Sequence, residues 1–320
     1  MRKRIILFII SFAILVLLVY FSNAGETVEV IAGANLFLIT AAFSIWGIET
    51  LVRTLRWQVL LRRIDIRIRF PEAWKIMVAS MFVSNLSPAK TGDPIRSVIL
   101  KRSKDKSFSS SLSSIVIERI LDITFLIAVA LVSMFFLFTQ MRGMGQWLYL
   151  SILLYVAVII AGIFIISSEK RSDFFFTRLF RMFSFIPKVK SYEKRVKEGS
   201  QKLHQAFNRY GHAPTLITSL LLTALIWTLQ ASATFVSFMA LGMSVPFWAC
   251  VAVVPLAILI GVLTFLPGAI GSAEVIKATF FTTLFSFTLS QATAATLISR
   301  FLIFWPYVFV GAVLFSLKFK

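Results

Sequence analysis

The stretch FWACVAVVPLAILIGVLTFLPGAIGSAEVIKATFFTTLFSF, residues 247–287, decides the fold. It holds only two charges, Glu274 and Lys277, in 41 residues. Apolar residues run on without period-2 alternation, so it reads as helix in a lipid environment. Pro267, Gly268 and Gly271 interrupt that helix, and a new one is expected to start near Ser272. The second arm, Val275 to Phe287, has 13 residues. At about 1.5 Å per residue it spans roughly 20 Å, short of the ~30 Å hydrocarbon core. Phe247–Phe287 therefore reads as a broken hairpin that enters and returns. Backbone groups freed at that depth are tolerated only when protein buries them or they line a wet cavity.

The rest of the chain agrees with a lipid environment. Hydrophobic residues make up 58% of its 320 positions, 33 of them Phe, and mean hydropathy is +0.86. Charged residues reach only 15%, too few to cover a soluble protein of this size. Further apolar segments are Ile5–Phe21, Val30–Val52, Ala73–Ser87, Leu112–Phe138, Trp147–Ile166, Pro214–Leu241 and Ala294–Leu317. Ser22-Asn23-Ala24 suits a small-x-small cleavage site. The many spans that follow favour an uncleaved first helix instead.

Net charge is +19, from 33 Lys and Arg against 14 Asp and Glu. The cations cluster in residues 1–4, 53–75, 90–106, 170–209 and 318–320. By the positive-inside rule all five stretches, and so both termini, are expected in the cytoplasm of a prokaryotic plasma membrane. The loops left for the far side, around Gly25–Glu29, Gln140–Gln146 and Gly242–Pro246, contain only Arg142 as a cation. Ala73–Ser87 then has basic flanks on both sides and reads as a second hairpin, entered from the cytoplasm. The expected fold is an all-α integral membrane protein of one domain, residues 1–320. It has about six full crossings and two broken, re-entrant hairpins, one from each face. Broken segments in corresponding positions of two halves point to a transport site. No internal repeat is strong enough to establish an inverted duplication. Residues 167–212 form the one sizeable polar stretch, and Phe174, Phe175, Leu179, Phe180 and Phe183 among Arg171, Arg178 and Arg181 suggest a basic amphipathic helix on the cytoplasmic leaflet.

Three clusters carry chemistry. The first is Ser84 to Arg96, where Pro88, Gly92 and Pro94 stop a helix; Asp93 and Arg96 are close enough to pair if a helix restarts after Pro94. The second is Glu118-Arg119-x-x-Asp122. Its two carboxylates share a helix face and need a cation from elsewhere, for which Arg96 is the candidate. The third is Pro267-Gly268-x-x-Gly271-x-x-Glu274, with Lys277 three residues on. The N-terminus of a half-helix at membrane depth suits an anionic headgroup, and Glu274 can receive Arg300 or a cationic substrate group. Each cluster also has a plain structural reading: an interfacial loop with Asp93 as N-cap, an ion-pair clamp between helices, and a hairpin turn. Glu49, expected near the end of its helix, can be satisfied by Arg53 at i+4.

In this order and spacing, Ser84, Pro88, Gly92, Asp93, Arg96, Glu118, Arg119, Asp122, Pro267, Gly268, Gly271 and Glu274 resemble the lysylphosphatidylglycerol synthase transmembrane, flippase-like family. Ala269 departs from it, standing where the family commonly has another small residue, often Gly. The resemblance implies a lipid-translocating domain. Family members occur alone or fused to a soluble aminoacyl-transferase domain, and no soluble stretch here is long enough to supply one. The expected function is translocation of a phospholipid, an aminoacylated lipid or a polyprenyl-phosphate-linked lipid. Arg96 and Arg119 would bind phosphate, Asp93, Glu118, Asp122 and Glu274 would balance them, and Lys277 and Arg300 would line the same path. No enzyme activity, nucleotide use, cofactor, metal site or nucleic-acid partner is expected. The partners are membrane lipids, and a homo-oligomer is compatible with the sequence. Two alternatives remain: a membrane scaffold or regulator, and a transferase on a lipid-linked substrate using Asp93 or Glu118 as a base.

Overall fold

The computed structural model describes residues 2–88, 91–104, 108–140 and 212–318, together with Arg171, Phe174 and Tyr210. The expected crossing Trp147–Ile166, and most of the amphipathic stretch 167–212, lie outside these residues. The described chain is all helix. The order is α1 (Arg2–Phe21), α2 (Ala24–Ala32), α3 (Leu36–Arg62), α4 (Phe70–Asn85), α5 (Ile95–Lys104), α6 (Phe108–Gln140), α7 (Ala213–Ala240), α8 (Phe247–Leu263), α9 (Ser272–Phe285), α10 (Leu289–Ile303) and α11 (Trp305–Lys318).

Helices α3 and α7, and α10 with α11 as the kinked span Leu289–Leu317, are long and apolar enough to cross a membrane. A fourth crossing is available if α1 and α2, bent by 85° at Ser22-Asn23, act as one span. Helix α6 has 33 residues, roughly 50 Å, but carries Glu118, Arg119 and Asp122 in its first half. Large apolar side chains point outward along these helices, among them Phe37, Leu221 and Phe309 at 79%, 65% and 60% exposure. A bilayer is the solvent that such a surface fits.

Both broken segments form as expected. α4 ends at Asn85 and α5 begins at Ile95; α8 ends at Leu263 and α9 begins at Ser272, leaving no continuous helix through either break. The two breaks meet: Pro88 and Pro267 form an antiparallel bridge. Gly268, at φ +58°, permits the approach, because a Cβ there would lie 2.6 Å from the Asn85 carbonyl oxygen and 2.6 Å from the Phe304 ring. The order long helix, short helix, break, short helix, long helix thus occurs twice, as α3 to α6 and as α7 to α11. α3 packs on α7, α4 on α11, α8 on α6 and α9, and α9 on α10. Two main cores hold the halves, one around Trp57, Ile76, Met77 and Tyr307 and the other around Phe238, Val253 and Phe281.

Three boundaries differ from the sequence reading. The second long helix starts at Leu36 rather than Val30, because Asn35 caps it by accepting from the Phe37 and Leu38 amides. The loop expected around Gly25–Glu29 is helical, within α2. The same long helix continues past Val52 to Arg62, so Arg53 and Arg56 are buried helix residues, at 4% and 1% exposure, rather than solvated loop cations. Leu51 and Leu55 on its outer face keep it apolar toward lipid while its inner face is polar.

Candidate functional site

Two charge clusters lie inside the helices. The first joins α3, α5, α6 and the break after α4. Arg96 places Nη2 2.6 Å from Glu118 Oε2, and its guanidinium lies 5.3 Å above the Trp57 ring. Arg56 places Nη1 2.5 Å from Asp122 Oδ1, donates to Thr223 Oγ1 at 2.8 Å, and approaches Glu118 at 3.7 Å. Arg119 reaches Asp93 at 3.1 Å and Asp122 at 3.2 Å. Ser84 donates to Asp93 at 2.5 Å from the end of α4. Gly92 lets this loop close on itself, since a Cβ there would lie 2.5 Å from Ser87 Oγ and 2.6 Å from the Val83 carbonyl. Three arginines meet three carboxylates, so the cluster is formally neutral.

The pairing corrects the sequence reading in one respect. Arg96 neutralises Glu118 as expected, but Asp122 is held by Arg56 and Arg119. Arg56 was missed because it follows an apolar run and was counted with the cytoplasmic cations. Its position seven residues after Glu49 and three after Arg53, on the inner face of α3, was the available signal.

The second cluster surrounds a cavity of about 80 Å³ at the meeting of the two breaks. That is room for several waters. Arg53, Lys277, Arg300, Gln230, Asn85 and Ser299 supply its polar lining, with Gly268 and Ala269 from the second break. Val254, Ile258 and Val262 of α8, with Phe304, supply its apolar side. Glu49 accepts from Arg53 Nε at 2.8 Å and from Gln230 Nε2 at 2.9 Å. Arg300 pairs with Glu274 at 2.8 Å, donates to the Gly268 carbonyl, and lies 4.0 Å over the Phe304 ring. One guanidinium thereby fixes the break, the first turn of α9 and the kink between α10 and α11. Lys277 is 8% exposed and donates to Ser299 Oγ at 3.3 Å. Among the described residues no carboxylate forms an ion pair with it.

The structure therefore brings the predicted residues into two sites. Ser84, Asp93, Arg96, Glu118, Arg119 and Asp122 form the first; Gly268, Glu274, Lys277 and Arg300 form the second. Pro88 and Pro267 touch between them, and Gly92 and Gly271 allow close backbone approach. For Gly271, at φ +82°, the neighbour is the Ser11 carbonyl, 2.7 Å from where a Cβ would stand.

Buried charges, apolar outer faces and paired broken helices define an all-α, multi-pass membrane protein. Residues 8–311 match the lysylphosphatidylglycerol synthase TM region, and the chain belongs to that family. It is 24% identical over 324 residues to a UPF0104 membrane protein of Pyrococcus horikoshii, covering 98% of this chain and 96% of that one. It is 23% identical over 290 residues to a UPF0104 membrane protein of Methanothermobacter thermautotrophicus, covering 85% and 82%. A shorter likeness, 25% over 113 residues, reaches Glycosyltransferase AglD of Haloferax volcanii, covering 34% of this chain and 18% of that protein.

Proposed function

We propose that this protein moves lipids between the leaflets of the plasma membrane, carrying the headgroup through the cavity between the two breaks. The observation that carries the reading is the cavity itself, where cationic and amide side chains converge at the junction of two half-helices. A buried cation without a carboxylate partner is costly in a membrane protein unless it serves a ligand or a pathway. Half-helices at membrane depth offer unpaired backbone groups to a polar ligand. The headgroup would cross against Arg53, Lys277 and Arg300 while acyl chains remain outside along the apolar side of α8. The neutral arginine–carboxylate cluster would form the cytoplasmic end of the path, with Arg119 as its accessible member, its side chain 26% exposed. Both termini and residues 167–212 lie in the cytoplasm in this reading. The protein itself performs no covalent chemistry and uses no nucleotide. The test is purified protein in liposomes containing a fluorescent phospholipid, with a membrane-impermeant quencher added outside. Loss of fluorescence beyond the outer-leaflet half is expected. Folded, inserted protein that leaves the inner half protected refutes it.

The likeness to Glycosyltransferase AglD favours a second reading, a transferase on a lipid-linked substrate. Such an enzyme would move a sugar from an activated donor to a lipid-linked acceptor and release the donor's leaving group, which a labelled donor added to the same liposomes, with the acceptor included, would show.

A further inference from the structure

We infer that the cavity selects a headgroup with one net negative charge, a phosphodiester, and discriminates against aminoacylated headgroups. This rests on the lipid-translocase reading for its use, but not for its binding. The argument begins with the charges around the cavity. Arg53, Lys277 and Arg300 contribute three positive charges, and their neighbours Glu49 and Glu274 contribute two negative ones. Arg53 and Arg300 are each matched by a carboxylate within 2.8 Å, so the unmatched charge is that of Lys277. The residue is nine-tenths buried and lines the cavity, and its ammonium donates to a neutral hydroxyl.

A single uncompensated cation in a low-dielectric site is best matched by one negative charge. A phosphodiester supplies that at neutral pH. A phosphomonoester carries close to two and overshoots. A lysyl ester of a phosphodiester lipid adds two ammonium groups, reverses the net sign and places like charges together. The remaining polar groups suit phosphate oxygens as well. Gln230, Asn85 and Ser299 can donate, and among the described residues the lining holds no carboxylate; Glu49 and Glu274, outside it, each pair with an arginine through one oxygen.

The occupant is a lipid rather than a soluble diester because of what lies beside the cations. The lining also includes Val254, Ile258 and Val262, a stripe at i, i+4 and i+8 along α8. Leu263 and Phe265, which follow that stripe in the chain, are 68% and 62% exposed. A headgroup at Lys277 would thus have an apolar route for its chains to the bilayer.

The experiment is competitive binding by native mass spectrometry on the full-length protein in detergent. The probes are phosphatidylglycerol, phosphatidylethanolamine, phosphatidic acid, lysyl-phosphatidylglycerol and the chain-free diester glycerophosphoglycerol. Phosphatidylglycerol should bind best, with lysyl-phosphatidylglycerol at least about tenfold weaker. Lys277→Gln should abolish the preference for phosphatidylglycerol over phosphatidylethanolamine. Lys277→Glu should invert the order between phosphatidylglycerol and its lysyl ester. Equal binding of those two by the native protein overturns the inference, as does selectivity unchanged in a folded Lys277→Gln variant. Glycerophosphoglycerol competing as well as the lipid overturns the lipid assignment. Selective binding with no flipping in liposomes refutes the translocase reading alone; flipping without charge selectivity refutes this inference alone.

Discussion

Arg56 and Asp122 stand 66 residues apart in the sequence and 2.5 Å apart in the structure, buried between α3 and α6. Their contact ties the first long helix to the helix that follows the first hairpin. The arginine side chain is 1% exposed and the aspartate 4%. Removing Arg56 leaves Asp122 with only its more exposed partner Arg119, and loss of a buried partner costs up to about 3–5 kcal/mol. Arg56→Ala should therefore lower the midpoint of thermal unfolding in detergent far more than Arg119→Ala does. Arg119 also contacts Asp122, but its side chain is 26% exposed, so solvent can take over part of its role. Similar midpoints for the two variants would contradict the burial argument.

The Arg96–Glu118 pair makes a separable prediction. Arg96→Met leaves Glu118, 1% exposed, with only the 3.7 Å approach of Arg56. The double variant Arg96→Met with Glu118→Gln removes both charges and keeps the volume, so it should recover most of the lost stability. A double variant no more stable than Arg96→Met would show that the packing of Arg96 against Trp57 and Met77, rather than its charge, is what matters.

At the second break, neighbouring residues should respond with opposite signs. Gly268→Ala places a Cβ against the Asn85 carbonyl and the Phe304 ring at φ +58° and should cost about 1–3 kcal/mol. Ala269 already sits at φ +52°, a left-handed conformation that favours glycine. Ala269→Gly should stabilise by about 1 kcal/mol, net of the freedom glycine gains when unfolded. Unfolding midpoints of the two variants check both signs.

Glu274→Gln removes a charge beside the cavity while leaving an oxygen to accept from Arg300. The variant should insert and fold, at a cost of about 1–2 kcal/mol. Lipid movement in liposomes should fall sharply, because Arg300 is then unbalanced beside the headgroup path. Undiminished flipping by this variant would reduce Glu274 to a structural role at the start of α9.

Reporter fusions test the orientation. Fusions after Lys320 and near Lys190 should report the cytoplasm, and one near Gly143 the exterior. An external C-terminus would require one of the two hairpins to cross.

Much of this fold is legible in the residues that break it. Pro267, Gly268 and Gly271 stand inside an apolar run, Pro88, Gly92 and Pro94 directly follow one, and both breaks follow from them. Trp305-Pro306 likewise marks the kink between α10 and α11. Arg53 was legible as the i+4 partner of Glu49, but Arg56 was hidden because the positive-inside rule reads a cation after an apolar run as a loop residue. In α3 the apolar face turns to lipid and the polar face turns inward, so hydropathy falls while the helix continues. The partner of Asp122 is a matter of tertiary packing across 66 residues, which spacing along one helix cannot disclose. The tip contact between Pro88 and Pro267 is of the same kind, since neither hairpin carries a mark of the other.

If lipids cross as proposed, that contact would set the thickness of the barrier. A spanning helix is a wall about 20 residues deep, and opening a way through it means unwinding it. Where Pro88 meets Pro267 the wall is two turns touching end to end. Parting them costs neither residue a donated hydrogen bond, since proline has no N–H. In the proposed translocation such a closure would open without unwinding a helix, and its protection against leaking ions would rest on the fit of two loops rather than on depth.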